Sequence, residues 1–384
     1  MELGKEVGRP MTEQIQMVDL RSQYLRIKQE VDAAMEEVLN STAFINGPQV
    51  QQFAEALSRY LGGARVVPCA NGTDALQIAM MALDLKPGAE MIVPVHTYVA
   101  TAEVIALLGL TPVFVDVDPD TFTINIEQTA AAITARTAAI VPVNLYGQCA
   151  HLESLRVLAR KHHLFLIEDN AQALGADYRM VDGSVVKAGT VGHVGTTSFF
   201  PSKNLGCFGD GGAVYTHDTA LAAKMKVIAN HGQQIKYQHD RVGINSRLDT
   251  LQAAILLVKL KYLDEYAARR ARAAAFYDQH LKEVNEVQIP VRAPYSTHVF
   301  HQYTLRVKQR DELKNFLEKR GIPTMIYYPI PLHLQAAYRV RGFEQGAFPV
   351  AEQLSKTVLS LPIHTEMEEG VLARIVASIK EFYA

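Results

Sequence analysis

The sequence predicts an α/β protein built on a mostly parallel, doubly wound sheet, with a smaller mixed α+β domain after it. Three observations carry that expectation. Short β-branched runs at 65–68, 91–95, 112–117, 139–145 and 164–168 alternate with helical stretches near 73–83, 97–108, 126–133 and 152–162. The runs place apolar residues on both faces, as strands covered by helices on both sides must. The chain has 384 residues, beyond the size at which one hydrophobic core usually stops growing, so two domains are expected: 17–270 and 271–384.

In order, residues 1–16 carry charge and lack the apolar stretch of a signal peptide, and are expected to form a disordered leader. Apolar side chains at helical spacing (Leu25, Val31, Met35, Val38, Leu39) predict one helix over 18–39. A second, over 48–61, opens on Pro48 and closes at Gly62-Gly63. After the alternating units, strand formers from Thr196 to Phe200 meet Pro201 and a glycine-rich turn, and a last strand follows at 212–216. A helix to about 231, a polar loop over 232–245 and a long helical run over 247–281 come next. The remainder reads as a strand at 300–307, a helix at 311–320, a Pro-rich segment at 328–333, and closing helices near 350–358 and 367–382.

Hydrophobic residues are 48% and charged residues 20%, with a net charge of -2, the profile of a soluble globular protein without the basic excess that nucleic-acid binding needs. No apolar run approaches the ~18 residues of a membrane span. Three cysteines without CxxC spacing point away from a disulfide framework or zinc site, and the 13 histidines show no metal-ligand spacing. A cytoplasmic protein without metal, membrane or nucleic-acid partners is expected.

In doubly wound sheets ligands sit at the carboxyl ends of strands. Here those ends are Asn71-Gly72-Thr73, His96-Thr97-Tyr98, Tyr146-Gly147, Asp169-Asn170 and the Ser198–Lys203 turn. Lys203 is either a solvated loop lysine or, if desolvated, a nucleophilic amine toward an aldehyde. Gly72 and Thr73 open a helix, so their N–H groups make a phosphate seat or simply a capped turn. Asp169 ends an apolar strand, with Gln172 just beyond; buried, that carboxylate needs a cationic or hydrogen-bonding partner, and otherwise it caps the next helix. Tyr98 either stacks on a flat ring or packs at the rim. Neither GxxxxGK[ST] nor a strand-following GxGxxG is present, which disfavours nucleoside triphosphates and dinucleotides. An amine, a carboxylate for a ring nitrogen, a phosphate seat with a serine, and an aromatic plate together suit pyridoxal phosphate.

The strings CANGTDALQ (69–77), HTYVATAEVI (96–105), VNLYGQCA (143–150), IEDNAQALGA (167–176), TSFFPSKNLGCFGDGGA (197–213) and GINSRLDTLQAAIL (243–256) resemble the DegT/StrS family of sugar aminotransferases, over nearly everything from Val18 to Tyr383. The likeness is greatest to those that aminate UDP-2-acetamido-2-deoxy-3-oxo-D-glucuronate at C3. It implies the aspartate-aminotransferase-like (fold type I) architecture and a homodimer with shared sites. By motif position, Lys203 would bond the cofactor and Asp169 pair with its ring nitrogen. Gln172 would lie near the ring hydroxyl, and Tyr98 would stack on the ring. Gly72, Thr73 and Ser198 would bind the phosphate together with Asn245 from the other subunit. Arg247 would receive the uronate carboxylate, for which a guanidinium fork is suited. Substrate contacts are also implied for Tyr327, Tyr328 and His333. The relatives' histidine before Tyr-Pro is here Tyr327. Glutamate is the implied amino donor, and a lysine rather than a histidine at 203 implies transamination rather than sugar deoxygenation.

Overall fold

The computed structural model describes residues 15–341 and 343–384. Seven strands form the main sheet: β1 (Arg65–Cys69), β2 (Glu90–Pro94), β3 (Thr111–Val115), β4 (Thr137–Ile140), β5 (Phe165–Asp169), β6 (Val194–Ser198) and β7 (Gly212–Thr216). Their spatial order is β1-β7-β6-β5-β4-β2-β3. All but β7 point the same way; β7 is antiparallel to both neighbours, β1 and β6. The sheet is thus mostly parallel and mixed, as expected. All five residues of β2 and of β7 are buried, because helices cover both faces.

Register brings distant stretches of the chain to one edge. Cys69 pairs with Gly212, Gly212 with Ser198, and Asp169 with Thr196, so three carboxyl ends and the amino end of β7 share a rim. Loops leaving that rim carry 70–73, 170–172 and 199–211.

The sequence pattern misplaces several boundaries. The helix expected over 18–39 is two, Leu20–Arg26 and Lys28–Ser41, separated at Ile27. Ile27 turns inward to pack with Val31, Ile255 and Val258, which apolar spacing alone does not show. The run expected over 247–281 is likewise Thr250–Leu260 and Leu263–Leu281. At the break, Lys261 and Tyr262 both reach Glu30, fixing the turn against the N-terminal helices. The polar loop over 232–245 contains a small hairpin, Gln233–Ile235 with Gln238–His239. A second hairpin pairs Asp177–Arg179 with Val185–Lys187.

Leu263–Leu281 runs through the expected domain boundary at 270 and into a second core. There Val287–Gln288, Tyr303–Val307 and Val358–Leu361 form an antiparallel sheet covered by Arg310–Lys319 and Glu369–Tyr383. The helix expected to reach 358 stops at Thr357, and the all-buried Val358–Leu361 becomes a strand. Of the expected leader, 1–14 lie outside the described residues. Ile15, within the expected leader, is buried in this second core.

The segment from Tyr327 to Thr357 returns to the main sheet. Leu332 N–H donates to the Val95 carbonyl (3.0 Å), and Asp116 accepts from Val350 and Ala351 N–H (2.9 Å each), capping the helix Pro349–Thr357. Among the described residues no helix is long and apolar enough to cross a membrane.

Candidate active site

The Lys203 loop is held by its own backbone. Phe199 N–H donates to the Gly211 carbonyl (2.7 Å), Cys207 N–H to Phe199 (2.8 Å) and Lys203 N–H to Phe200 (2.8 Å). The neighbouring Asn204 side chain is buried and donates to the Val299 carbonyl (2.8 Å), which ties the loop to the chain entering the second domain. So fixed, the Lys203 amine is desolvated, and burial pulls it down to about 8 against the opposing pull of Asp169.

Asp169 is buried at the end of β5. Its carboxylate accepts from Thr101 Oγ1 (2.8 Å) and Ala171 N–H (3.2 Å). Burial nevertheless raises its pKa, outweighing these bonds and the Lys203 charge. A protonated ring nitrogen would restore the charged form, so the residue is suited to that partner. Thr101 was not singled out from the sequence; its place in the first turn of Ala100–Leu107, three residues past Tyr98, is the signal that could have found it.

At the amino end of the helix Gly72–Ala82, Asn71 caps the turn by accepting from Asp74 N–H (2.8 Å). Gly72 lies directly against Ser198: a Cβ there would stand 2.6 Å from the Ser198 Cβ. A Cβ on Gly212 would meet the Asn71 carbonyl. Glycines at 72 and 212 therefore let the helix end and the serine close into one cradle of N–H and hydroxyl groups, which fits a phosphate.

Gln172 accepts from Tyr146 N–H (2.8 Å) and donates to the Tyr328 hydroxyl (3.1 Å). Tyr328 in turn lies beside Tyr98, with ring centroids 6.1 Å apart. Tyr98, Gln172 and Tyr328 thus meet at the rim, and Tyr98 remains the most open of them, at 57% exposure. Tyr327 is attached through its carbonyl to the Tyr146 hydroxyl, and that hydroxyl also meets His96 Nε2 at 3.1 Å. His96, Tyr146 and His301 are buried at this edge without having been singled out for a role.

Three expected site residues are not joined to this group within one chain. His333 is completely buried with Nε2 on the Glu352 carboxylate (3.0 Å), so the expectation that it faces substrate is corrected: it holds the returning segment together. Asn245 bridges to Asn230, and Ser246 next to it accepts from Ala70 N–H (3.0 Å). Arg247 lines a cavity of about 590 Å³ between the helices Pro48–Tyr60 and Thr219–Ala229 and β1, which contains none of Lys203, Asp169 and Ser198. Its Nη2 meets His231 Nε2 at 3.3 Å, while its buried Nε has no partner.

Residues 25–380 match the model of the DegT/DnrJ/EryC1/StrS aminotransferase family. The chain is 45% identical to a pleiotropic regulatory protein of Geobacillus stearothermophilus, over 96% of this chain and 98% of the relative. It is also 45% identical to the UDP-2-acetamido-2-deoxy-3-oxo-D-glucuronate aminotransferase of Pseudomonas aeruginosa, over 95% and 99%. The crystal structure of S. venezuelae DesV in complex with a ketimine intermediate superposes with a TM-score of 0.93 at 40% identity, covering 96% of this chain and 98% of that one. With the sheet, the rim and the sequence match in agreement, the chain belongs to the DegT/DnrJ/EryC1/StrS aminotransferase family.

Proposed function

We propose that this chain transfers an amino group, from glutamate, to C3 of UDP-2-acetamido-2-deoxy-3-oxo-D-glucuronate. It works with pyridoxal phosphate, in a cytoplasmic homodimer that supplies an amino sugar for surface polysaccharide. The observation that carries this reading is the meeting of a depressed lysine amine, Lys203, and a buried carboxylate, Asp169, at a rim whose Gly72–Ser198 contact fits a phosphate. The uronate is favoured by the 45% identity to the Pseudomonas aeruginosa enzyme and by the Arg247 guanidinium, whose Nε has no partner.

Bound at the rim, pyridoxal phosphate supplies a ring that withdraws electrons from the carbon bearing the transferred nitrogen. Asp169 would keep the ring nitrogen protonated, and Gly72, Thr73 and Ser198 would hold the phosphate. Gln172 and Tyr98 would fix the plane of the ring, with Tyr327 and Tyr328 walling the substrate side. A lysine at about 8 is roughly a tenth neutral at pH 7, against about one part in three thousand at the ordinary value. Lys203 Nζ can therefore take a proton from the donor's α-carbon and return it on the other side of the transfer. The partner subunit's Asn245 and Arg247 would complete the phosphate and carboxylate contacts.

The test is a paired assay of the purified protein with glutamate, offering the 3-keto uronate and neutral 3-keto and 4-keto nucleotide sugars. Turnover of the uronate with an absorption band near the visible supports the reading, and preference for a neutral sugar overturns the uronate assignment. A second reading, a regulator without catalysis, is favoured by the name of the Geobacillus stearothermophilus relative. A colourless protein inactive on every sugar would select it.

A further inference from the structure

The helix Ala100–Leu107 is seated by its apolar side chains: Ala102, Val104 and Ile105 are buried in the core that also contains Ala75, Ile78 and Ala79 of the helix Gly72–Ala82. Its first turn is closed by Ala102 and Glu103 N–H on the Val99 carbonyl (3.0 and 2.9 Å). Thr101 lies in that turn with no exposed surface. A threonine so placed commonly turns its hydroxyl back to a carbonyl one turn earlier. Here the hydroxyl reaches across to β5 instead and donates to Asp169 Oδ2 at 2.8 Å.

Each carboxylate oxygen of Asp169 thus has one donor, Oδ2 from Thr101 and Oδ1 from Ala171 N–H (3.2 Å). The Ala171 bond is local to the strand end, whereas the Thr101 bond comes from a separate helix and fixes the carboxylate against the fold. The other polar groups around it are accounted for. Lys203, from its loop, is the charged neighbour that opposes the effect of burial on Asp169. Glu168, next to it on β5, is committed to Gly189, Val191 and Gly192 N–H (2.7, 2.8 and 2.7 Å). The Tyr215 hydroxyl, from β7, accepts from Asn170 (3.1 Å), the Tyr328 hydroxyl accepts from Gln172 (3.1 Å), and burial holds both phenols neutral. Among the described residues, Thr101 is therefore the side chain that donates to this carboxylate, and it carries no charge. A cationic donor in its place would repel a protonated ring nitrogen; a hydroxyl does not.

We propose that Thr101 is a positioning residue for Asp169: its hydroxyl sets the plane of the carboxylate and, by occupying a lone pair of Oδ2, keeps the shared proton on the ring nitrogen of the cofactor rather than on Asp169. This rests on the aminotransferase reading above, but the two fail separately. Without the hydroxyl the carboxylate is the stronger base, and the proton passes from the ring nitrogen to an Asp169 oxygen with no net gain or loss. A ring without that proton withdraws electrons less strongly from the reacting carbon.

The experiment uses full-length protein loaded with pyridoxal phosphate that carries nitrogen-15 in its ring. The resonance of that nitrogen reports where the proton sits, and the free cofactor in acid and in alkali supplies the two ends of the scale. Thr101→Val keeps the buried volume and removes the donor, while Thr101→Ser keeps the hydroxyl. At about pH 7.5, Thr101→Val is expected to move the resonance toward the unprotonated end by at least a tenth of that scale. It should also lower kcat at least tenfold, with KM for glutamate within threefold. Thr101→Ser should restore the resonance and bring kcat within threefold of the unaltered protein. A resonance that stays in place in Thr101→Val overturns the proposal even if kcat falls, since a packing role alone would account for that loss. A Thr101→Ser resonance matching that of Thr101→Val overturns it too, as does a ring already unprotonated in the unaltered protein. If Thr101→Val does not fold or load, Thr101→Cys, of similar size and a weak donor, is read on the same scale, and an unmoved resonance there overturns the proposal. If the unaltered protein binds no cofactor, it is the cofactor reading that fails instead.

Discussion

The loop that carries Lys203 is closed by its own backbone hydrogen bonds, whereas the stretch from Asn230 to Arg247 carries Ile235, Tyr237 and Val242 into solvent, at 61%, 80% and 85% exposure. At the first, carboxyl ends of neighbouring strands converge, and the register Cys69–Gly212–Ser198 leaves no choice about which groups meet. At the second, a hairpin and a half-buried guanidinium line an open cavity without a carboxylate in reach of Arg247 Nε. The difference teaches that Asp169, Ser198 and the Gly72 helix end meet within one chain, whereas Asn245 and Arg247 stand apart from them and would need a second copy to reach a site. Exposed apolar side chains of this kind are what a second copy would cover.

The first region is broken most severely through its lysine. Lys203→Ala should lower turnover by at least about 10³-fold and remove the near-visible band, since the nucleophile and the proton carrier are the same atom. Stopped-flow absorbance and steady-state rates check both. Gly72→Ala should act less severely and on binding: its Cβ would stand 2.6 Å from the Ser198 Cβ, so the cradle must open. The dissociation constant for pyridoxal phosphate, from equilibrium dialysis, should rise at least tenfold, on the order of 1.4 kcal/mol. An unchanged constant would remove the phosphate from this rim.

Both of those residues could be found in the sequence because strand ends in a doubly wound sheet are few and the chemistry at them is diverse. The strands of the main sheet are visible as apolar runs, except Val194–Ser198, which is legible only from strand formers running into Pro201 and the glycines; the convergence of 71–73, 169–172 and 198–203 follows from the strand ends. What could not be read were relations set by packing between distant segments. Thr101 looks like any helix-opening threonine until it is seen bonded to Asp169. His333 follows a Pro-rich loop that resembles substrate-binding segments, and only its bond to Glu352 shows it to be interior. Ile27 breaks a helix because its side chain is needed in a core that also contains Ile255 and Val258. Apolar periodicity records which residues are buried, not what they are buried against.

The second region is tested by mixing. If Lys203 of one subunit works with the partner subunit's Arg247, a hybrid of Lys203→Ala and Arg247→Ala subunits contains one intact site and one carrying both losses. Activity on the uronate should then recover to a large fraction of one site per hybrid dimer. If each subunit supplies both residues, no hybrid site is intact and no recovery follows. Arg247→Ala alone should raise KM for the uronate by about 10–100-fold, as expected for loss of a charge-assisted pair worth about 1.5–3 kcal/mol, and should raise it less than threefold for a neutral sugar.

The smallest effect expected concerns acid. His96 is buried at the rim with its Nε2 on the Tyr146 hydroxyl, and burial holds it down to about 4. Its folded-state value lies below the ordinary one, so between about pH 6.5 and pH 4 the unfolded chain binds a proton that the folded chain refuses. Its contribution is fully present above about pH 6.5 and is lost as pH falls toward 4, by up to about 3 kcal/mol for such a shift. His96→Gln keeps a hydrogen-bonding side chain that does not titrate, and should therefore flatten the fall of the melting midpoint between pH 6.5 and 4.5. An acid slope identical to the unaltered protein would show that the ring charges without opening the rim, and that the Lys203 edge is less rigid than its backbone bonds imply.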